Sequence, residues 1–125
     1  DQDSNVKKIT KSIEIVYGLR NFIGNANKFS RNTIYINLKS DSEITEIVIE
    51  DDGDGYPRDV LPKIGEPYLR SNNSQEKSKT GLGLGLFIGK TLLEKNFASI
   101  NCRNSKTRSG AEVIVKWYNR DLFNI

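Results

Sequence analysis

The sequence predicts a two-layer α/β sandwich, with helices on one face of a mixed, mostly antiparallel sheet. Three observations carry this. A long early segment repeats apolar residues at helical spacing. Two alternating segments then follow each other across the short polar turn "SDSE". A glycine-rich run leads into a second helical segment, and two more alternating segments come after it. Helices grouped around hairpins, without a strict β-α-β alternation, bury one face of a sheet in this way. With 125 residues, the chain suits one domain, residues 1–125, with a real core.

The elements are expected in the following order. Residues 1–11 are polar and are read as a loose start. Ser12 to Phe29 is the first helix, with Ser12 as its N-cap. Val16, Leu19, Phe22, Ile23 and Ala26 give it one apolar face, while Gly18 and Gly24 weaken its middle. Asn32 to Ser40 alternates, with Ile34, Ile36 and Leu38 on one side. Ile44 to Asp51 alternates with Ile47 and Ile49, so the two segments form a hairpin. "DDGDGYP" is a turn, and Arg58 to Ile64 is a short helix broken or ended at Pro62. Arg70 to Thr80 has no apolar residue and no periodicity, and is read as a mobile segment. Leu86 to Asn96 is the next helix. "ASINCRNS" and "AEVIVKWY" are two further strands around the turn "KTRSG".

Composition removes several function classes. Basic and acidic residues number 19 and 16 and are interspersed, which is no nucleic-acid signature. A single cysteine, Cys102, rules out an intrachain disulfide or a four-cysteine zinc site. Cys102 falls in a strand and is read as a small buried hydrophobe. No histidine is present, so the chain supplies no imidazole base, nucleophile or metal ligand.

Three stretches can carry chemistry. In "NFIGNANKF", Asn21, Asn25 and Lys28 stand at i, i+4 and i+7, one stripe of the helix, expected opposite the apolar face. Amide oxygens are hard ligands and an ammonium suits phosphate, although a solvated polar face has the same pattern. In "EDDGDGYP", a carboxylate at a strand end can accept a hydrogen bond from a ligand amino group, and the glycines permit close approach. A plain turn or a small calcium loop reads the same way. "KTGLGLGLFIGK" lacks the Walker and dinucleotide spacings. Its glycines before a helix can still offer N–H groups to a polyphosphate, or can simply allow tight packing.

In this order, "LRNFIGNANKFS", "DDGDG", "IGEPY" and "GLGLGLFIGKTLLEK" resemble the N, G1, F and G2 boxes of sensor histidine kinases. Those boxes belong to the catalytic ATP-binding domain, in the GHKL superfamily with its Bergerat fold. The resemblance covers about residues 12 to 118. "IEIVYGLRNFIGNA", "FIGKTLLEK" and "GAEVIVKW" look most like the RegB/PrrB/ActS group of redox-responsive kinases. The resemblance implies ATP and Mg²⁺ as ligands. Asn25 would be the main Mg²⁺ ligand, with Asn21 where hydrolytic relatives place a water-activating Glu. Lys28 would approach the phosphates and Phe29 would lie beside the nucleotide. Asp51 would read the adenine amino group, with Gly53 and Gly55 shaping that wall. Tyr68 falls where Phe is usual. Residues 70–80 would be the ATP lid. Gly81, Gly83 and Gly85 would line the phosphates, with Leu82, Leu84 and Leu86 anchoring them to the core. Gly89, one turn further on, is read as close helix–sheet packing.

The resemblance also implies a domain of a longer, membrane-anchored bacterial sensor, lying in the cytoplasm and not touching the membrane itself. Its partners would be its own histidine-bearing dimerisation hairpin and a response regulator. An anti-sigma-factor-type serine kinase, a nucleotide-sensing interaction domain and a calcium module are the competing readings.

Overall fold

The computed structural model describes residues 2–64 and 82–122, with side chains from Ile13 to Ile64 and from Leu84 to Leu122. The elements are α1 (Gln2–Phe29), β1 (Ile34–Ser40), β2 (Ile44–Asp51), a 3₁₀ turn (Leu61–Lys63), α2 (Leu82–Lys95), β3 (Ser99–Asn104), β4 (Ala111–Tyr118) and α3 (Asn119–Leu122). The four strands form one sheet in the order β1-β2-β4-β3, and each of these pairings is antiparallel. The expected lid, residues 70–80, lies outside the described residues, as do Tyr68 and Gly81.

The sheet register explains the core. Ile49 stands opposite Val113, which stands opposite Cys102, and Ile47, Val115 and Ile100 form the next row. Alternation puts these rows on one face, where α1 and α2 cover them. Ile49, Val115, Leu86, Leu93 and Phe22 are almost wholly removed from water. Each such side chain contributes about 1.5–3 kcal/mol relative to exposure. Ile36 and Leu38 share that face by register, yet on the edge strand β1 both remain more than half exposed. The neighbouring face shows ion pairs instead. Arg103 bonds Glu112, and the Arg108 guanidinium lies near Glu50 and stacks 3.6 Å from the Tyr35 ring centre.

Six expectations are corrected. α1 begins at Gln2, so Ser12 is an interior residue and caps nothing. Its buried face runs through Gly18, Phe22 and Ala26, while Val16 is 54% exposed. An apolar count misses this because glycine carries no hydrophobic weight, although it marks where another helix comes close. A Cβ on Gly18 would sit 2.7 Å from Leu93 Cγ, and one on Gly89 would sit 3.1 Å from the Gly18 carbonyl oxygen. Gly89 therefore serves a helix–helix crossing, not helix–sheet packing. α2 also begins earlier than expected, at Leu82, and takes Gly83 and Gly85 into its first turn. Complete burial of Leu86 and the crossing with α1 outweigh the roughly 1 kcal/mol cost of each helical glycine. Leu84, however, is 54% exposed and anchors nothing in the core. Finally, the short helix at Arg58 to Ile64 is only the 3₁₀ turn. Pro62 sits at its start, where a missing N–H costs nothing.

Candidate functional site

The site is built at one end of the sandwich, from the last turns of α1, the end of β2 and the start of α2. Asn21 and Asn25 are half-buried, and Lys28 is exposed beside Phe29. The buried face of α1 is rotated toward this stripe, so the stripe flanks the helix contact and does not oppose it. Asn21 Nδ2 donates to the Tyr17 carbonyl oxygen at 2.8 Å. That fixes the amide, and its oxygen faces Gly85, 4.0 Å from where a Cβ would stand there. In an α-helix the first four N–H groups have no intrahelical acceptor. In α2 these belong to Leu82, Gly83, Leu84 and Gly85. The Asn21 amide oxygen thus lies beside a helix N-terminus, where the helix dipole favours an anion, and Asn25 and Lys28 follow it along α1.

The second wall is Asp51. It is 3% exposed at the end of β2. Its Oδ1 accepts the Gly53 N–H at 2.9 Å and the Ala111 N–H at 3.3 Å. Gly110 is what admits the carboxylate so close to β4. A Cβ there would lie 2.5 Å from the Asp51 carbonyl carbon and overlap its oxygens. Gly53 is pressed against the Phe29 carbonyl oxygen in the same manner. Gly55 has φ +80°, a conformation that side chains rarely adopt, and Asn104 clasps the next residue at Tyr56 N and Tyr56 O. Sequence reasoning found Asp51, Gly53 and Gly55 but not Gly110, Ala111 or Asn104. The "SG" before the last strand was the available signal.

The other two aspartates face elsewhere. Asp52 accepts backbone N–H groups from Arg31, Asn32 and Thr33, and Asp54 pairs with the Arg31 side chain. The Asn32 N–H above all, with Thr33 and Arg31, holds the Asp52 carboxyl below the usual carboxylate range. A calcium loop needs convergent carboxylates, and "DDGDG" does not provide them. Among the described residues no group of three His, Cys, Asp or Glu side chains could hold a metal. The donors that are present, neutral amides next to a phosphate-type anion site, fit Mg²⁺ held partly by phosphate oxygens. Beneath this wall the buried Tyr56 hydroxyl has no hydrogen-bond partner of good geometry among the described residues and lies beside Cys102. Burial pushes the Tyr56 hydroxyl well up and the Cys102 thiol to about 11. No described helix is long and apolar enough to cross a membrane.

The fold is an α/β sandwich with Asn21 beside the start of α2 and a buried carboxylate at the end of β2. Residues 10–120 match the family of histidine kinase-, DNA gyrase B- and HSP90-like ATPases, and the chain belongs to that family. Within it, the chain is a histidine-kinase-type catalytic domain of the RegB-like kind. It is 37% identical to the sensor histidine kinase RegB of Cereibacter sphaeroides over 87% of its own length. It spans 27% of that relative. The sensor protein RstB of Escherichia coli is 29% identical over 79% of the chain, which spans 23% of RstB. Among solved structures, a mycobacterial sensor histidine kinase, MprB, superposes with a TM-score of 0.69 at 25% identity, covering 82% of this chain and 70% of MprB. The catalytic domain of the histidine kinase ThkA superposes at 0.67 with 21% identity, covering 85% and 67%. This last likeness concerns the fold.

Proposed function

We propose that this chain binds Mg·ATP and donates the γ-phosphoryl group to a histidine on a separate dimerisation hairpin, from which a response-regulator aspartate takes it. The observation that carries the reading is Asn21, first of the Asn21, Asn25 and Lys28 stripe, facing Gly85 in the first turn of α2, in a chain whose β2 ends on the buried Asp51 carboxylate. Asp51 accepts a hydrogen bond from the adenine amino group. Its Oδ1 is already fixed by two backbone N–H groups, so the carboxylate is oriented before the ligand arrives. Gly53 and Gly55 keep that wall free of side chains, and Phe29 flanks the base. Lys28 and the N–H groups of Gly81, Gly83 and Gly85 contact the phosphates. Leu86, wholly buried, anchors that turn to the core. By the same reading residues 70–80 serve as the ATP lid and Tyr68 takes the place where Phe is usual.

Mg²⁺, when bound through Asn25 with Asn21 nearby, neutralises charge on the phosphates. The protein's own contribution is positioning and electrostatics, as in phosphoryl transfer generally. The histidine nitrogen forms the new N–P bond as the bond from the γ-phosphorus to the bridging oxygen breaks and ADP leaves. Asn21 cannot take a proton from water, so the site lacks a base for hydrolysis at that position.

Calorimetric titration with ATP, with and without Mg²⁺, tests the first half. Binding should be tighter with Mg²⁺. Incubating the chain with γ-labelled ATP and a histidine-bearing hairpin from a RegB-like kinase tests the second. Acid-labile, base-stable label on the hairpin is expected. ATP binding with no phosphohistidine on any cognate hairpin would overturn the kinase assignment and leave a nucleotide-binding module.

A further inference from the structure

The turn that follows β2 is strapped to the loop that follows α1. Asp52 Oδ1 lies 2.9 Å from the Arg31 nitrogen, 3.1 Å from that of Asn32 and 3.2 Å from that of Thr33. Oδ2 adds a second, longer bond from Asn32 at 3.3 Å. Three consecutive backbone N–H groups therefore converge on one carboxylate, the arrangement that elsewhere forms an anion-binding nest. Here the anion is built into the chain. The neighbouring residue, Gly53, leaves no room for a side chain against Phe29, and Arg31 reaches over to Asp54.

These contacts act beside the Ile34–Asp51 strand pairing and the Arg31–Asp54 pair in tying the loop after α1 to the end of β2. Asn25 and Lys28 sit on the last turns of α1, one to two turns before the strapped loop. Asp51 precedes Asp52 by one residue. Without the strap, Arg31 to Thr33 would need other acceptors, and the end of α1 could shift against the end of β2. A misplacement of about 1 Å at a reacting geometry costs about a hundredfold in rate.

We propose that Asp52 is a positioning residue. It holds the end of α1 in register with Asp51, so that a ligand spanning both walls finds them correctly spaced. This rests on the Mg·ATP reading above. Asp52 acts through Arg31 to Thr33 and touches no ligand itself. The Asp54 pair is exposed at both ends and adds little.

The test compares a ligand that spans both walls with one that touches a single wall. Mg·ATP and adenosine are titrated into the wild type, Asp52→Ala, Asp52→Asn and Asp54→Asn, with folding checked by circular dichroism. Asp52→Ala should weaken Mg·ATP about tenfold and adenosine less than twofold. Asp52→Asn keeps an oxygen for the same three donors and should recover most of the loss. Asp54→Asn should stay within twofold for both ligands. If Asp52→Ala does not fold, Asp52→Glu replaces it. Glu keeps the charge but overshoots the loop by one methylene, and should fall between Asn and Ala.

Wild type that ignores Mg·ATP sinks the ATP reading and this proposal with it. Wild type that binds, with Asp52→Ala equal to it, overturns the positioning role alone. Equal losses for adenosine and Mg·ATP, or an Asn variant as poor as Ala, also overturn it, since both mean something other than register.

Discussion

Replacing Gly110 with alanine should damage both the fold and the site, because Asp51 leaves that glycine no alternative. The new Cβ would lie 2.5 Å from the Asp51 carbonyl carbon, where carbon atoms normally rest about 3.5–4.0 Å apart. Asp51 or the start of β4 must therefore retreat by about 1 Å. Asp51 is buried, and its Oδ1 is held by Gly53 and Ala111 N–H groups on either side of the clash. Overpacking a buried position costs about 1–3 kcal/mol. A weakened hydrogen bond to a charged group adds about 1.5–3 kcal/mol. The sum, about 2.5–6 kcal/mol, is a large share of the roughly 5–15 kcal/mol that stabilises a domain. Urea or thermal unfolding should show it, as a fall in Tm of about 10–30 °C for a chain of this size. Nucleotide affinity should drop at least tenfold with it. Gly24→Ala is the opposite case. Nothing lies within 4 Å of a Cβ there, so alanine in this exposed helical position should stabilise by about 0.5–1 kcal/mol. A Gly110→Ala protein within about 0.5 kcal/mol of wild type would refute the packing described for Asp51. Unchanged nucleotide affinity in a destabilised variant would detach Asp51 from the ligand.

Asp51→Asn should weaken nucleotide binding more than Asp54→Asn does, since Asp54 faces Arg31 at the surface; equal effects by calorimetry would count against the adenine contact. Asn25→Ala should remove the Mg²⁺-dependent part of ATP binding and leave the melting curve in place, whereas an unfolded variant would make Asn25 structural. Cys102 should resist alkylation. Burial raises its thiol from 9.0 to about 11, so near pH 8 the reactive thiolate is about a hundredfold scarcer than in the unfolded chain. The sign extends to stability: the unfolded thiol ionises first, so the folded state loses ground as pH rises from 9 toward 11. Iodoacetamide rates in native buffer and in urea test this, and native labelling within tenfold of the urea rate would contradict it.

Strands were the most legible part of the sequence. β2 and β4 run over the residues their alternation predicts, because one face of each meets the helices and the other does not. Helix starts were less legible. The Gly-Leu alternation at Leu82 to Leu86 looks non-helical, and only burial of Leu86 against α1 makes it a helix. Likewise Gly18 marks the true packing face of α1, but the reason is Leu93, which is remote in sequence. For the site, the identity of Asp51 could be read from its place at a strand end. Its support could not, because Gly110 and Ala111 meet it through strand pairing that no local pattern encodes. Asp52 was legible as a turn residue, and its three donors only as coordinates.

That support arrives late. β4 enters the sheet between β2 and β3 although it is the last of the four described strands to be made, and Ala111 lies 60 residues beyond the carboxylate it holds. A ribosome adding about 5–20 residues per second needs about 3–12 s to cover that distance. Until then the nascent chain has the Asp51 turn but neither the amide that orients it nor the strand that buries it. The buried carboxylate at the end of β2 therefore waits, after its own synthesis, for the residues that orient and cover it.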